Sequence, residues 1–270
     1  KKPWEMFLLG FFYSSLAVFI GYWIFGSFSS MVVILLTVMA SLPLVYDAIR
    51  FEEKKDISFD EEIPLLKEHE RLLLVLLMLF FGFIASFSFW YIVLPQDMVE
   101  HVFLTQTKTI SAINSPTGSF AQQISVFSLI FLNNVKVLLF CVLFSFLYGS
   151  GALFILTWNA SVIGTAIGNF MRNEIARYSL VVGFVPGFTY LKIYGLATLR
   201  YLLHGIPEIG AYLVAGLAGG IISAAIVRHD LSSKKFEKVV LDTADLLVIS
   251  LVMLFIAGLL EVFVTPIFFS

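Results

Sequence analysis

His204-Gly205-Ile206-Pro207-Glu208 is a short polar interruption in a chain made otherwise of apolar runs. Gly205 accepts the left-handed conformation that closes a helix, and Pro207 supplies a first helical residue with a preset φ and no amide hydrogen to satisfy. The pentapeptide therefore predicts helix, break, helix. His204 falls at the electronegative end of the incoming helix, where a cation is favoured, and Glu208 falls in the electropositive first turn of the outgoing one. The same residues also fit a plain capped turn between two membrane helices, so the surroundings decide what the break is for.

On either side the sequence calls for lipid as its solvent. Of 270 residues, 59% are hydrophobic and only 13% charged, which is more apolar surface than one water-soluble core hides. Runs of about 20 largely uncharged residues, each long enough to cross a bilayer, are separated by short polar links, and they lack the period-two alternation of a membrane barrel. The expected fold class is all-α, a polytopic transmembrane helical bundle. A net charge of −2 gives no basic footprint for nucleic acid. Cys141 is the single cysteine and sits in an apolar run, which leaves no disulfide framework and no thiolate metal cluster. No motif calls for a metal or another cofactor. Lys1, where an initiator methionine would stand, points to a leading segment outside this sequence.

Lys1 and Lys2 precede an apolar run over residues 6–25, which by the positive-inside rule starts in the cytoplasm. A link at 26–30 returns the chain through 31–46, so residues 1–46 form an N-terminal transmembrane hairpin. Residues 47–71 make a charged loop, which Arg50, Lys54, Lys55, Lys67 and Arg71 assign to the cytoplasm. It is either a docking surface or a solvated lead-in to the next helix. Residues 72–270 are the bundle proper. Its first span, 72–94, leads to an outer segment, 96–124, polar and long enough for a small cap or for amphipathic helices on the outer surface.

The next span, 127–146, carries Asn133, Asn134 and Lys136, and the one after it, 152–170, carries Asn159. Such groups normally face other helices or water, although Lys136 can instead snorkel to the interface. Gly164 and Gly168 in the second of these spans, and Ala215, Gly216, Gly219 and Gly220 in the helix after Pro207, have the small-residue spacing of close helix packing. That contact lies within one subunit or across a dimer axis.

Residues 171–186 read as a polar link, and residues 187–203 are too polar for an easy span. Full crossings on both sides of the break would leave Arg228, Lys234, Lys235 and Lys238 outside, against the positive-inside rule. Residues 187–203 are therefore expected to be re-entrant or interfacial, which gives about seven crossings, a cytoplasmic N-terminus and an outer C-terminus. Eight crossings stay open, because Arg172, Arg177, Lys192 and Arg200 also pull inward. Asp242 and Asp245 are expected to open the last span, and His69, His101 and His229 to lie in polar loops.

Taken in order, Asn133-Asn134, the turn at Gly149 to Gly151, Asn159 with Gly164 and Gly168, the His-Gly-x-x-Glu element at His204 to Glu208 and the glycine-rich helix behind it resemble the stage II sporulation protein M family. The resemblance covers residues 127–264, about half the chain. It implies a polytopic membrane protein with a role like that of the sporulation member, which works with partners that remodel peptidoglycan during engulfment. The N-terminal hairpin and charged loop fall outside what the resemblance covers, so it implies a relative outside sporulation.

Two functions follow as expectations. In the first, the chain is a membrane scaffold or assembly component, a multi-pass protein of the cell membrane with cytoplasmic or envelope partners, itself a homo-oligomer with a dimer favoured. In the second, Asn134, Lys136, Asn159, His204 and Glu208 line a polar intramembrane site, and the chain is a cation or small-solute conduit. An enzyme is not expected. There is no His-Glu-x-x-His and no Gly-x-Ser-x-Gly, and a break at Gly205 and Pro207 would stop His204 and Glu208 from sharing a helical face.

Overall fold

The structure, a computed structural model, describes residues 3–56, 70–113, 120–145, 150–227 and 234–269. Among the described residues the regular structure is helical and there is no strand. Helix α1 spans Pro3–Phe25, α2 Ser29–Asp56, α3 Glu70–Val93, α4 Gln96–Val102 and α5 Leu104–Ile113. Then follow α6 (Phe120–Ser145), α7 (Ser150–Val182), α8 (Gly187–Val227) and α9 (Lys234–Leu259), a π-helical turn at Leu260–Val264, and α10 (Thr265–Phe269). Residues 57–69 of the charged loop, residues 146–149 of the turn before α7, and residues 228–233, which hold Arg228 and His229, lie outside the described residues.

Among the described residues six stretches are long and apolar enough to cross a membrane, and the first of them, Trp4–Asp47, is the α1–α2 pair. Gly26 turns the chain between those two helices at φ +51°, a conformation that a side chain would disfavour. A Cβ at Gly21 would lie 2.7 Å from Val33 Cγ2, twelve residues on, so α2 folds back along α1. Counting that hairpin as two gives seven membrane-length helices: α1, α2, α3, α6, α7, α8 and α9.

The chain divides into two compact units. The first takes residues 1–49, 71–115 and 157–202. Here α1 and α3 run parallel with their backbones almost touching: a Cβ on Gly82 would sit 2.3 Å from the Phe7 carbonyl oxygen, and one on Gly10 2.8 Å from that of Leu79. Further along the same seam the Ser15 and Ser86 hydroxyls are 3.0 Å apart, and Trp90 Nε1 donates to Ser15 Oγ at 2.9 Å. Helix α7 lies parallel to α3 on another side. Gly164 meets Ile84, Phe87 and Ser88, and Gly168 meets Tyr91.

Helices α4 and α5 cap the end of the unit that carries the α1–α2 turn. Gln106, 1% exposed, is their anchor. Ser30 Oγ donates to Gln106 Oε1 at 2.9 Å and Gln106 Nε2 donates to Ser161 Oγ at 3.2 Å, so one amide joins α2, α5 and α7. A buried side-chain amide costs free energy unless both its ends are paired, and here both are.

The second unit takes residues 50–70, 116–156 and 203–270. Helix α6 packs antiparallel on α9, with the Phe127 and Phe131 rings at 5.4 and 5.9 Å from that of Phe255 and the Phe120 ring 6.2 Å from that of Phe263. Val214 and Ala218 of α8 pack with Leu246 of α9. Among the described residues nothing lies within 4 Å of where a Cβ on Gly220 would stand.

The structure corrects the sequence at three places. First, α8 runs through His204-Gly205-Ile206-Pro207-Glu208 without a break, with Pro207 inside it, so residues 187–203 are not a separate re-entrant element. The reason is a comparison of costs. Ending one helix and starting another leaves four carbonyls and four amides without helical partners, whereas an interior proline forfeits one hydrogen bond and costs about 3 kcal/mol. In lipid, where each unpaired group costs several kcal/mol, keeping the helix is cheaper. Pro43 inside α2 follows the same logic.

Second, α7 continues to Val182, so Arg172, Glu174 and Arg177 lie on a helix and not in a link; Glu174 and Arg177 pair at 3.4 Å. Gly183, at φ +83°, then makes the turn into α8. Third, α9 begins at Lys234, which puts Asp242 and Asp245 two to three turns inside it and out of its first turn.

Candidate functional site

Because α8 is continuous, His204, Glu208 and Tyr212 stand four residues apart along one face of it. The expectation that His204 and Glu208 cannot share a helical face is therefore overturned. Tyr212, 3% exposed, donates its hydroxyl to Glu208 Oε1 at 3.0 Å. Glu208 itself is half-buried within the Gly187–Ile222 span.

A second carboxyl joins this group. Glu261 lies in the π turn that follows α9, close enough for its charge and that of Glu208 to act on one another, and within electrostatic range of the Tyr212 phenol. The π turn carries one extra residue relative to an α turn, which re-aims Glu261. Thr265 Oγ1 takes up the carbonyl loosened there, donating to Leu260 O at 2.9 Å. Two carboxyls and a phenol within electrostatic range of one another in apolar surroundings can share a proton or hold a cation. Among the described residues no group of three or more His, Cys, Asp or Glu side chains is arranged to hold a metal ion.

The other expected site residues are spread over α6 and α7. Asn134 is buried on the side of α6 that faces α9. Lys136 is exposed on the opposite side and does not join Glu208. Asn159 is half-buried on α7 in the first unit, while His204, Glu208 and Asn134 belong to the second. Gly164, Gly168 and Gly219 are buried along with Ala215, Gly216 is half-buried, and Gly220 borders open space. His101 is not in a solvated loop: it sits on α4, with its ring 6.3 Å from that of Tyr22.

Two residues stand out that sequence reading passed over. Glu261 carried a signal, an isolated acid near the end of an apolar run. Arg172 carried only its charge. Its Nη2 donates to Ile92 O at 3.2 Å and to Leu94 O, its Nη1 to Gln96 Oε1 at 2.7 Å, and its guanidinium stacks 5.5 Å from the Tyr91 ring centre. It thus closes the C-terminal end of α3, where a helix presents unpaired carbonyls and a negative partial charge.

A family model described as stage II sporulation protein M matches residues 72–266, a longer stretch than the resemblance over 127–264, since it takes in α3 and the α4–α5 cap. An uncharacterised protein of the archaeon Methanocaldococcus jannaschii is 28% identical over 144 residues, covering 52% of this chain and 71% of that protein. No solved structure matches the chain. Seven membrane-length helices and this match define a multi-pass integral membrane protein.

Proposed function

The chain belongs to the stage II sporulation protein M family, and on that premise we propose that it is a membrane scaffold, an assembly component that gathers envelope-associated partners. The reading rests on the α7–α8 hairpin. Past the Arg172 cap, α7 continues for ten residues, about 15 Å, and the tip it reaches is apolar and uncovered. Leu180 is 86% exposed, Val181 82% and Phe188 78%. Exposed apolar patches of this kind mark interaction sites. With the N-terminus in the cytoplasm, as the leading lysines favour, seven crossings put this tip and the C-terminus outside, where envelope partners are. The reading assigns the chain no catalysis.

The test is a double substitution, Val181→Ser with Phe188→Ser, in the full chain. Proteins that co-purify from native membranes with the parent should be lost while the melting temperature in detergent stays unchanged. Retention of every partner by the variant would refute the scaffold reading. A second reading, a cation or proton conduit, is favoured by one observation, the Glu208, Tyr212 and Glu261 cluster inside membrane-spanning helices. Liposome flux that Glu208→Gln abolishes would support it, and absence of flux for protons and common cations would remove it.

A further inference from the structure

Helix α6 has two faces. Phe127, Phe131, Asn134 and Leu138 turn inward, while Leu129, Leu132, Asn133, Lys136 and Leu143 form one continuous exposed stripe at helical spacing. The centre of that stripe is a lysine inside the Phe120–Phe144 span. The nearer end of the helix, Ser145, is nine residues away, about 13 Å. Side chains on a helix lean toward its N-terminus, so the ammonium is carried away from that end, and a four-carbon stem does not recover the distance. Facing acyl chains, such a charge is costly.

Beside it, α9 exposes a stripe of its own: Leu241, Asp245, Val248 and Val252. Phe127 and Phe131 meet Phe255, and Phe120 meets Phe263. Continued along the two helices, this antiparallel register sets Lys136 level with Ile249, about one helical turn from Asp245. Two opposite charges are thus displayed side by side on neighbouring helices at nearly one depth. Among the described residues neither makes an ion pair in its own chain.

We propose that the α6–α9 face is a dimer interface, on which a second copy of this chain is seated so that Lys136 of each copy pairs with Asp245 of the other. A twofold axis along the membrane normal lays α6 of one copy against α9 of its partner, because an isologous contact exchanges the two halves of a single face. That rotation brings each cation to an anion and keeps the two lysines apart. A foreign partner would have to supply an acid and a base at matching depths, whereas a second copy carries both. The exposed leucines of α6 then pack against Leu241, Val248 and Val252 between the copies, and Asn133 adds a hydrogen-bonding amide within one turn of the ion pair.

The test is dimerisation of the full chain in lipid vesicles, read by single-molecule photobleaching as the protein-to-lipid ratio is varied. Lys136→Glu and Asp245→Lys should each raise the dissociation constant at least about tenfold, and the charge exchange carrying both should return it to within about threefold of the parent. Disulfide trapping between Leu132→Cys in one copy and Val252→Cys in a co-expressed second copy, both in a Cys141→Ser background and in native membranes, checks the same face without altering either charge. A band at twice the chain mass is expected there, and none for Phe131→Cys on the inward side. The proposal fails if the parent is monomeric at every ratio, if the charge exchange is as weak as either single change, if trapping yields an adduct of another mass, or if Lys136→Leu releases a bound anionic lipid while leaving the dimer intact.

Discussion

Replacing Gly82 by alanine inserts one methyl group between two helices that leave no room for it. The new Cβ would lie 2.3 Å from the Phe7 carbonyl oxygen and 2.9 Å from the Phe11 amide nitrogen. Ordinary contact begins at about 3.5 Å, so α1 and α3 must part by about 1.2 Å. Both obstacles are backbone, and no rotamer change relieves them. The same movement would stretch the 3.0 Å Ser15–Ser86 contact and the 2.9 Å Trp90–Ser15 bond past hydrogen-bonding distance. Overpacking costs about 1–3 kcal/mol and each lost hydrogen bond about 1 kcal/mol. Alanine's better helix propensity returns about 1 kcal/mol. The expected net loss is about 3 kcal/mol.

Gly220→Ala is the matched control. Among the described residues its Cβ meets nothing within 4 Å, so only the propensity term remains, and the variant should be up to about 1 kcal/mol more stable than the parent. Both are measured by reversible denaturant unfolding in one detergent–lipid mixture, followed by tryptophan fluorescence. Opposite signs are expected from the same chemical change. A Gly82→Ala variant as stable as Gly220→Ala would refute the close α1–α3 approach.

Arg172→Ala should cost about 2 kcal/mol in the same assay, since it uncovers the Ile92 and Leu94 carbonyls at the end of α3. Arg172→Lys should recover only part of this, because an ammonium lacks the guanidinium fork that serves three acceptors at once. Gln106→Leu leaves the hydroxyls of Ser30 and Ser161 without their shared amide, and it should cost about 2 kcal/mol. It should also raise amide hydrogen exchange over residues 96–113 selectively, which distinguishes a loosened cap from general destabilisation.

Much of the fold was legible because lipid imposes a simple rule on sequence: every backbone group must bond within its own segment. Long uncharged runs therefore had to be helices, and the Gly26 link between two of them had to turn the chain. Gly164 and Gly168 announced a close helix contact by their spacing alone. The same spacing rule missed Gly10 and Gly82, which lie on two different helices and make a pair only when α1 and α3 are laid side by side.

The pentapeptide at His204 shows where local signals stop. Capping preferences describe what a residue favours at a helix end, and they held no information on whether ending the helix was cheaper than bending through Pro207. That balance depends on the apolar surroundings, and it favoured continuity.

The sequence by itself determined the solvent of this protein, its helical class and the approximate number of its membrane-length segments, because those follow from how much apolar surface each run carries. Tertiary structure alone decided which polar groups meet: Glu208 with Tyr212 and Glu261, Arg172 with the end of α3, and Lys136 turned outward beside Asp245. A side chain's partner is set by the packing of a neighbouring helix, through register and rotation that are sums over many weak contacts, and no single residue in the sequence encodes them.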